Sequence, residues 1–211
     1  MIFYNIVKKI RTKKNWITEH LRDEYVQKAQ QDGYRSRAAY KFLQINAQYK
    51  LVKPNHRIVD LGSAPGSWSQ AISSLLSQAG EIYAIDLLPM DPVKNTTFIQ
   101  GDFRDPQILS SLEKIIEKDP VDLVISDMAP NISGNKARDQ ALINDLNELS
   151  LDFAQDWLKP KGNFVVKSFM GAGFDEFVIK LKKHFKRVII KKPDSSRDRS
   201  AELFLIGLEK L

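Results

Sequence analysis

The chain of 211 residues contains no cysteine. Disulfides and thiolate metal sites are therefore excluded, and a cytoplasmic location is expected. Its histidines, His20, His56 and His184, lie far apart, so no metal site is expected. No apolar run approaches the roughly 20 residues of a membrane-spanning helix. The apolar start "IFYNIV" is too short for a signal-peptide core, and no small-residue cleavage site follows it. Phosphate-cradling glycine patterns are missing too. In "VDLGSAPGSW" only Gly62 and Gly66 occur, with Pro65 between them. That is neither a P-loop nor Gly-x-Gly-x-x-Gly, which disfavours a nucleotide pyrophosphate and a nicotinamide-dependent oxidoreductase.

What is present is a hydrophobic content of 43%, enough for one full core. A single domain is expected over residues 31–211, preceded by a basic arm over residues 1–30 that runs into a short helix. Charge is laid out unevenly. Residues 1–57 carry 13 Lys/Arg against 4 Asp/Glu, residues 58–179 carry 9 against 18, and residues 180–199 carry 9 against 2. An acidic centre between two basic segments suggests a catalytic core with a polyanion-binding rim. The candidate phosphate contacts are Arg35, Arg37, Lys191, Lys192 and Arg197.

From residue 57 onward the chain alternates. "RIVDL", "EIYAID", "TTFIQ", "VDLVIS" and "NFVVKSF" read as strands, and apolar stretches at helical spacing lie between most of them. "SRAAYKFLQINAQY" reads as an amphipathic helix with Ser36 as its cap, and "PGSWSQAISSLLSQ" as a helix ended by Gly80. A long helix is expected to stop at Pro160. "KRVIIK" and "AELFLIGL" have no helix between them and should be antiparallel. The fold class is α/β: a seven-stranded, mostly parallel sheet with helices on both faces and an antiparallel last strand. Ligands of such sheets bind beyond the carboxyl ends of the strands. Lys167 stands at one of those ends, where a lysine is costly unless something pairs with it.

Three acids stand at successive strand ends. Asp60 precedes the glycine turn, and a buried carboxylate there suits a cationic ligand. Asp86 lies 24 residues after Gly62, where a carboxylate can accept ribose hydroxyls. Asp102, in "QGDFRD", is placed to accept an adenine amino group. An adenosine that lacks phosphates and carries positive charge is S-adenosylmethionine (SAM).

The blocks "VDLGSAPGSWSQ", "DLLPMDP", "GDFRD", "SDMAPNISG", "FVVKSFMGAGFDE" and "KKPDSSRDRSAE" together resemble the FtsJ-like ribose 2′-O-methyltransferases, in particular the bacterial enzymes acting on large-subunit ribosomal RNA. The resemblance spans about residues 16–208. It implies a Rossmann-like SAM-dependent fold, and a catalytic tetrad that falls here on Lys41, Asp127, Lys167 and Glu202. It puts cofactor contacts on Gly66, Trp68, Asp86, Asp102 and Asp127. It further implies a monomer that methylates a uridine ribose in ribosomal RNA, within the large subunit, as a step of ribosome maturation. Ser63 and Ser67 depart from the family's smaller residues at those positions, and the first 15 residues have no counterpart. The lack of an aromatic in "DMAPN" favours oxygen rather than a base nitrogen as methyl acceptor. An RNA-binding assembly factor that keeps the fold but not the chemistry is the alternative, and the intact tetrad argues against it.

Overall fold

The computed structural model describes residues 23–116, 119–197 and 200–211. The first elements among the described residues are helix α1 (Glu24–Gln31) and helix α2 (Ala38–Tyr49). The chain then alternates through β1 (Arg57–Leu61), α3 (Ser67–Ser73), β2 (Glu81–Asp86), β3 (Thr96–Gln100), α4 (Pro106–Ile116) and β4 (Val121–Ser126). It closes with α5 (Lys136–Trp157), β5 (Leu158–Phe169), α6 (Phe174–His184), β6 (Phe185–Lys191) and β7 (Glu202–Lys210). The strands form one seven-stranded sheet in the order β3-β2-β1-β4-β5-β7-β6. β1 to β5 run parallel, and β7 is antiparallel to both β5 and β6. The class expected from the alternating pattern is therefore the one observed. Among the described residues no helix is long and apolar enough to cross a membrane.

Strand alternation divides the core between the two faces. Val59, Leu61, Val124, Phe164, Val166 and Leu205 belong to one buried cluster, together with Leu112 of α4, Leu151 of α5 and Leu181 of α6. Ile58, Leu123, Ile125, Val165, Phe204 and Ile206 belong to the other, under Phe42 and Ile45 of α2 and Ile72 of α3. β4 is buried along its whole length, as a central parallel strand covered on both faces should be. On the second face Trp68 packs between Phe42 and Phe204, with ring centroids 5.3 and 5.4 Å away. Each such ring contributes on the order of 2–3 kcal/mol of apolar burial, so this stack anchors α2 and α3 to the sheet.

Three expectations shift at their edges. The helix after the glycine turn ends at Ser73, well before Gly80. Ser73 Oγ donates to the Lys94 carbonyl and Ser74 Oγ to that of Ala71, so paired serines divert hydrogen bonding from a longer helix. α2 begins at Ala38, and Ser36 Oγ accepts from the Ala38 N–H at 3.2 Å in a local turn rather than as the cap. β5 begins at Leu158 and already pairs with Val121; two steps on β4 then face five on β5, from Leu158 to Asn163. The extra residues form a bulge that contains Pro160, where a proline need not donate to the ladder.

The N-terminal helix lies on the domain. Its cap Asp23 accepts from the Tyr25 N–H at 3.1 Å and also meets the Arg37 guanidinium, and Val26 and Ala29 are buried. Residues 1–22, most of the expected arm, lie outside the described residues.

Candidate active site

Strand order reverses between β1 and β4: the chain runs from β1 to β2 and β3 on one side, and β4 lies on the other. A crevice opens at the carboxyl ends of strands flanking such a reversal. The turn after β1 is shaped for close approach. Gly62 has φ +78°, its N–H donates to the Ile85 carbonyl at 2.9 Å, and a Cβ there would lie 2.8 Å from the Met128 backbone nitrogen. Only glycine fits both the conformation and the space. Gly66 has φ +99°, and a Cβ there would collide with the Arg35 guanidinium.

Asp60, on β1, is fully buried. Ser69 Oγ donates to its Oδ2 at 2.6 Å, while Oδ1 has no hydrogen-bond partner. Burial pushes its carboxyl up to about 7; the Ser69 bond opposes that rise, and the charges of Asp127 and Asp86 add to it. The three acids therefore share one field at the mouth of the sheet. Asp86 stitches two turns together, accepting from the Ala64 N–H at 2.9 Å and from the Leu88 N–H at 2.8 Å. Asp102 is gripped by Arg104 through Nε at 3.0 Å and Nη2 at 2.7 Å, which holds its carboxyl below the usual range. Trp68 lies in the core, where its Nε1–H donates to the Ala38 carbonyl at 2.9 Å.

The four residues of the expected tetrad come from four elements. Lys41 projects from α2, Asp127 follows β4, Lys167 lies on β5, and Glu202 opens β7. Because β7 runs antiparallel, its first residue returns to the carboxyl end of β5, where Glu202 pairs with Phe169. The residues form two ion pairs. Lys167 Nζ lies 3.0 Å from Asp127 Oδ1, but its hydrogen bond, 2.6 Å long, runs to the Asp127 backbone carbonyl. Asp127 Oδ1 is thus buried with no hydrogen bond of its own. Lys41 Nζ meets Glu202 Oε1 at 2.5 Å, and Ser196 Oγ donates to the same oxygen at 3.0 Å. Burial pushes the Glu202 carboxyl up, but Lys41, Ser196 and then Lys167 outweigh it and hold it below the usual carboxylate range. In the β5–β7 register Lys167 pairs with Phe204 and Phe169 with Glu202, so Lys167 and Glu202 are diagonal neighbours on one face and the two pairs lie side by side. Lys167 is only 10% exposed, so the pairing required of a lysine at a strand end is present.

The arginines expected to meet phosphate are committed within the protein. Arg35 Nη1 donates to the carbonyls of Pro65 at 2.7 Å and Asp91 at 2.8 Å, and Nη2 to that of Pro92 at 2.9 Å. It clamps the glycine turn to the segment after β2. Arg37 binds Asp23 and the Ser195 carbonyl, and burial first, then Arg197, lowers its pKa. Arg197 Nε reaches Asp23 at 3.4 Å, and Lys192 Nζ donates to the Ser200 carbonyl at 2.9 Å. Lys191 ends β6, half-buried. Charge counting treats an arginine that braces a loop and one that waits for a ligand alike, which is why these roles were missed. Also unforeseen are Ser69, which partners Asp60, and Asp139, whose carboxylate accepts from the N–H and Oγ of Ser133 and the N–H of Gly134. No sequence pattern distinguishes that acid from its neighbours on α5.

Among the described residues no group of acids and histidines could hold a metal. A seven-stranded sheet with this order and an antiparallel β7, with acids at the ends of β1, β2 and β4, defines the class of Rossmann-like SAM-dependent methyltransferase folds. Within it, residues 34–210 match the FtsJ-like methyltransferase family, and the chain belongs to that family. It is 53% identical over 204 residues to the ribosomal RNA large subunit methyltransferase E of Methylobacillus flagellatus, covering 97% of this chain and 99% of that one. It is 50% identical over 197 residues to the protein of the same name from Marinobacter nauticus, covering 93% and 95%. Among solved structures it is similar to a ribosomal RNA methyltransferase of Plasmodium falciparum, with TM-score 0.74 and 31% identity over 84% of this chain and 99% of that one. The fold is shared with Aeropyrum pernix fibrillarin in complex with SAM, with TM-score 0.56 and 18% identity over 81% and 76%.

Proposed function

We propose that the protein transfers a methyl group from SAM to the 2′-hydroxyl of a uridine ribose in large-subunit ribosomal RNA. The observation that carries this reading is the placement side by side of two lysine–carboxylate pairs, Lys167–Asp127 and Lys41–Glu202, at the carboxyl end of the sheet. The crevice suits SAM. It offers two buried carboxylate oxygens, on Asp60 and Asp127, and the Ser63 hydroxyl, all without hydrogen-bond partners, beside a Gly62 turn that leaves no room for a side chain. Asp60, Asp86, Asp127 and the Gly62–Gly66 turn would hold it, and Asp102 would border the adenine once Arg104 moves off its outer lone pairs.

Bound there, SAM supplies a methyl group already activated by its sulfonium. The chain must then position the nucleophile, which in favourable geometry is worth roughly 7–11 kcal/mol. Lys167, aimed by the Asp127 carbonyl and carboxylate, holds the ribose oxygen and, in its neutral amine form, takes the hydroxyl proton as that oxygen bonds to the methyl carbon and the methyl–sulfur bond breaks. Lys41, fixed by Glu202, completes the cationic floor under the ribose. The two carboxylates keep the amines aimed and compensate their charge in a poorly solvated site.

Residues 1–30 extend the RNA-binding surface, and the protein acts as a monomer in the cytoplasm on RNA held in the large subunit. The test is to offer labelled SAM with naked ribosomal RNA and with intact large subunits, and to map the methylated nucleotide. Label on one uridine ribose, strongest with subunits, is the expected result. Label on a base would overturn the acceptor assignment. RNA binding without any transfer would leave the silent assembly factor.

A further inference from the structure

At the opposite end of the sheet, where β1, β4 and β5 begin, lies a cleft of about 200 Å³ lined by residues that include Lys50, Lys53, His56, Asp122, Lys159 and Lys161. Four lysines face a single carboxylate, and that carboxylate is already satisfied. Asp122 accepts from the Arg57 N–H at 2.9 Å, forms an ion pair with Lys159, and lies 3.5 Å from His56 Nε2. Lys50, Lys53 and Lys161 are exposed, and among the described residues their side chains make no hydrogen bond or ion pair. The cations converge. Burial first, and then the charges of Lys159 and Lys53, lower the His56 pKa against the opposing pull of Asp122 and the Leu51 carbonyl.

The backbone gives an independent observation. Among the described residues four non-glycine residues have positive φ, and two of them are the cleft lysines, Lys50 at 53° and Lys161 at 65°. Lys50 closes α2 in the left-handed conformation, a position usually given to glycine or asparagine. Lys161 sits on the bulge of β5, which pushes residues 159–162 out of the ladder to form one wall of the cleft. At both places the chain keeps a lysine where glycine would relieve the backbone, which points to a use for the side chain. Two of the four lysines come from the basic first segment and two from the acidic centre, so no run of sequence marks the cleft.

We propose that this cleft is a second RNA-binding site, which takes backbone phosphates of the ribosomal RNA at the end of the sheet away from methyl transfer. The proposal rests on the ribosomal RNA reading above. Phosphate suits the site because lysine binds it as a point charge without demanding fixed geometry. Strands of five to six residues separate the two ends by roughly 16–20 Å. A large RNA can therefore span both ends, while a short stem-loop around the target nucleotide engages only the catalytic one.

Binding of the full chain to a long ribosomal RNA fragment and to that stem-loop is measured between 50 and 200 mM salt. The variants are Lys50→Gly with Lys161→Gly, and separately Lys53→Glu. The double glycine variant should bind the long fragment about tenfold more weakly, with a log–log salt slope shallower by about 1.4–1.8, as loss of two phosphate contacts requires. Its thermal midpoint should not fall, because glycine accepts both left-handed positions. Stem-loop binding and single-turnover methylation of the stem-loop should match wild type. Lys53→Glu should reproduce the loss on the long fragment. The cleft assignment is overturned if both variants bind the long fragment within twofold of wild type. Equal loss on both RNAs, or equal wild-type affinity for both, also overturns it. Wild-type protein that binds the long fragment but methylates neither RNA would instead refute the proposed activity, with the binding comparison still deciding the cleft.

Discussion

Replacing Asp60 by asparagine should change how stability depends on pH. In the folded protein burial raises the Asp60 carboxyl from 3.8 to about 7. Between about pH 4 and pH 7 the folded state therefore holds a proton that the unfolded state has released. Stability contributed by this group is present below the unfolded pKa and is lost as pH rises through that window. A shift of about 3 pH units at 1.36 kcal/mol each amounts to about 4 kcal/mol. Asparagine keeps an oxygen for Ser69 Oγ and cannot ionise, so the variant escapes this loss. Its unpaired amide costs about 1–3 kcal/mol at every pH, so the informative quantity is the change in the wild-type-to-variant gap. Urea and thermal unfolding at pH 4.5, 6, 7 and 8 should show the variant gaining about 3 kcal/mol on the wild type across the series, since about 1 kcal/mol of the effect is already lost at pH 4.5. For a domain of this size that is roughly 6–12 °C in Tm. SAM should stabilise wild type more than the variant at pH 7.5, since its cationic groups favour the ionised carboxylate. A gap that stays within about 1 kcal/mol from pH 4.5 to 8 would refute the assignment of Asp60 as a strained buried acid.

Lys167→Ala should abolish methyl transfer with SAM and RNA binding near wild type, since the loss lies in the transition state; more than a tenth of wild-type single-turnover rate would contradict this. Lys167→Arg should fail as well, because a guanidinium does not release its proton near neutral pH. Lys41→Ala should be severely impaired and Glu202→Ala less so. Arg35→Ala should free three carbonyls and raise the SAM dissociation constant about tenfold, leaving the salt slope of RNA binding unchanged; a shallower slope in that titration would return Arg35 to the RNA. Gly62→Ala should cost about 2–4 kcal/mol in unfolding experiments, from left-handed strain plus the Met128 clash. Gly33→Ala, with φ +75° and open space around its Cβ, should cost only about 1–2 kcal/mol, and equal costs would remove the close-approach argument.

Period and punctuation in the sequence suffice for the alternating elements, the parallel sheet and the antiparallel final pair, because burial on both faces forces continuous apolar strands. The same reading singles out the Gly62 turn, the acids at strand ends and Lys167, since each breaks an apolar pattern at the place where strands deliver side chains to a ligand. It fails where a side chain's partner is distant in sequence. Arg35 counts as one more positive charge until folding brings it against Pro65, Asp91 and Pro92, 30, 56 and 57 residues away. Trp68 stands in a motif that resembles a cofactor contact, and only the fold shows that its ring also packs between Phe42 and Phe204. Lys41 and Glu202 become a pair only because β7 runs back antiparallel to β5, and the lysine cleft exists only because β5 bulges beside the end of α2. Local physics is written in the order of the residues, whereas charge compensation depends on which groups tertiary packing brings within a few ångströms of one another.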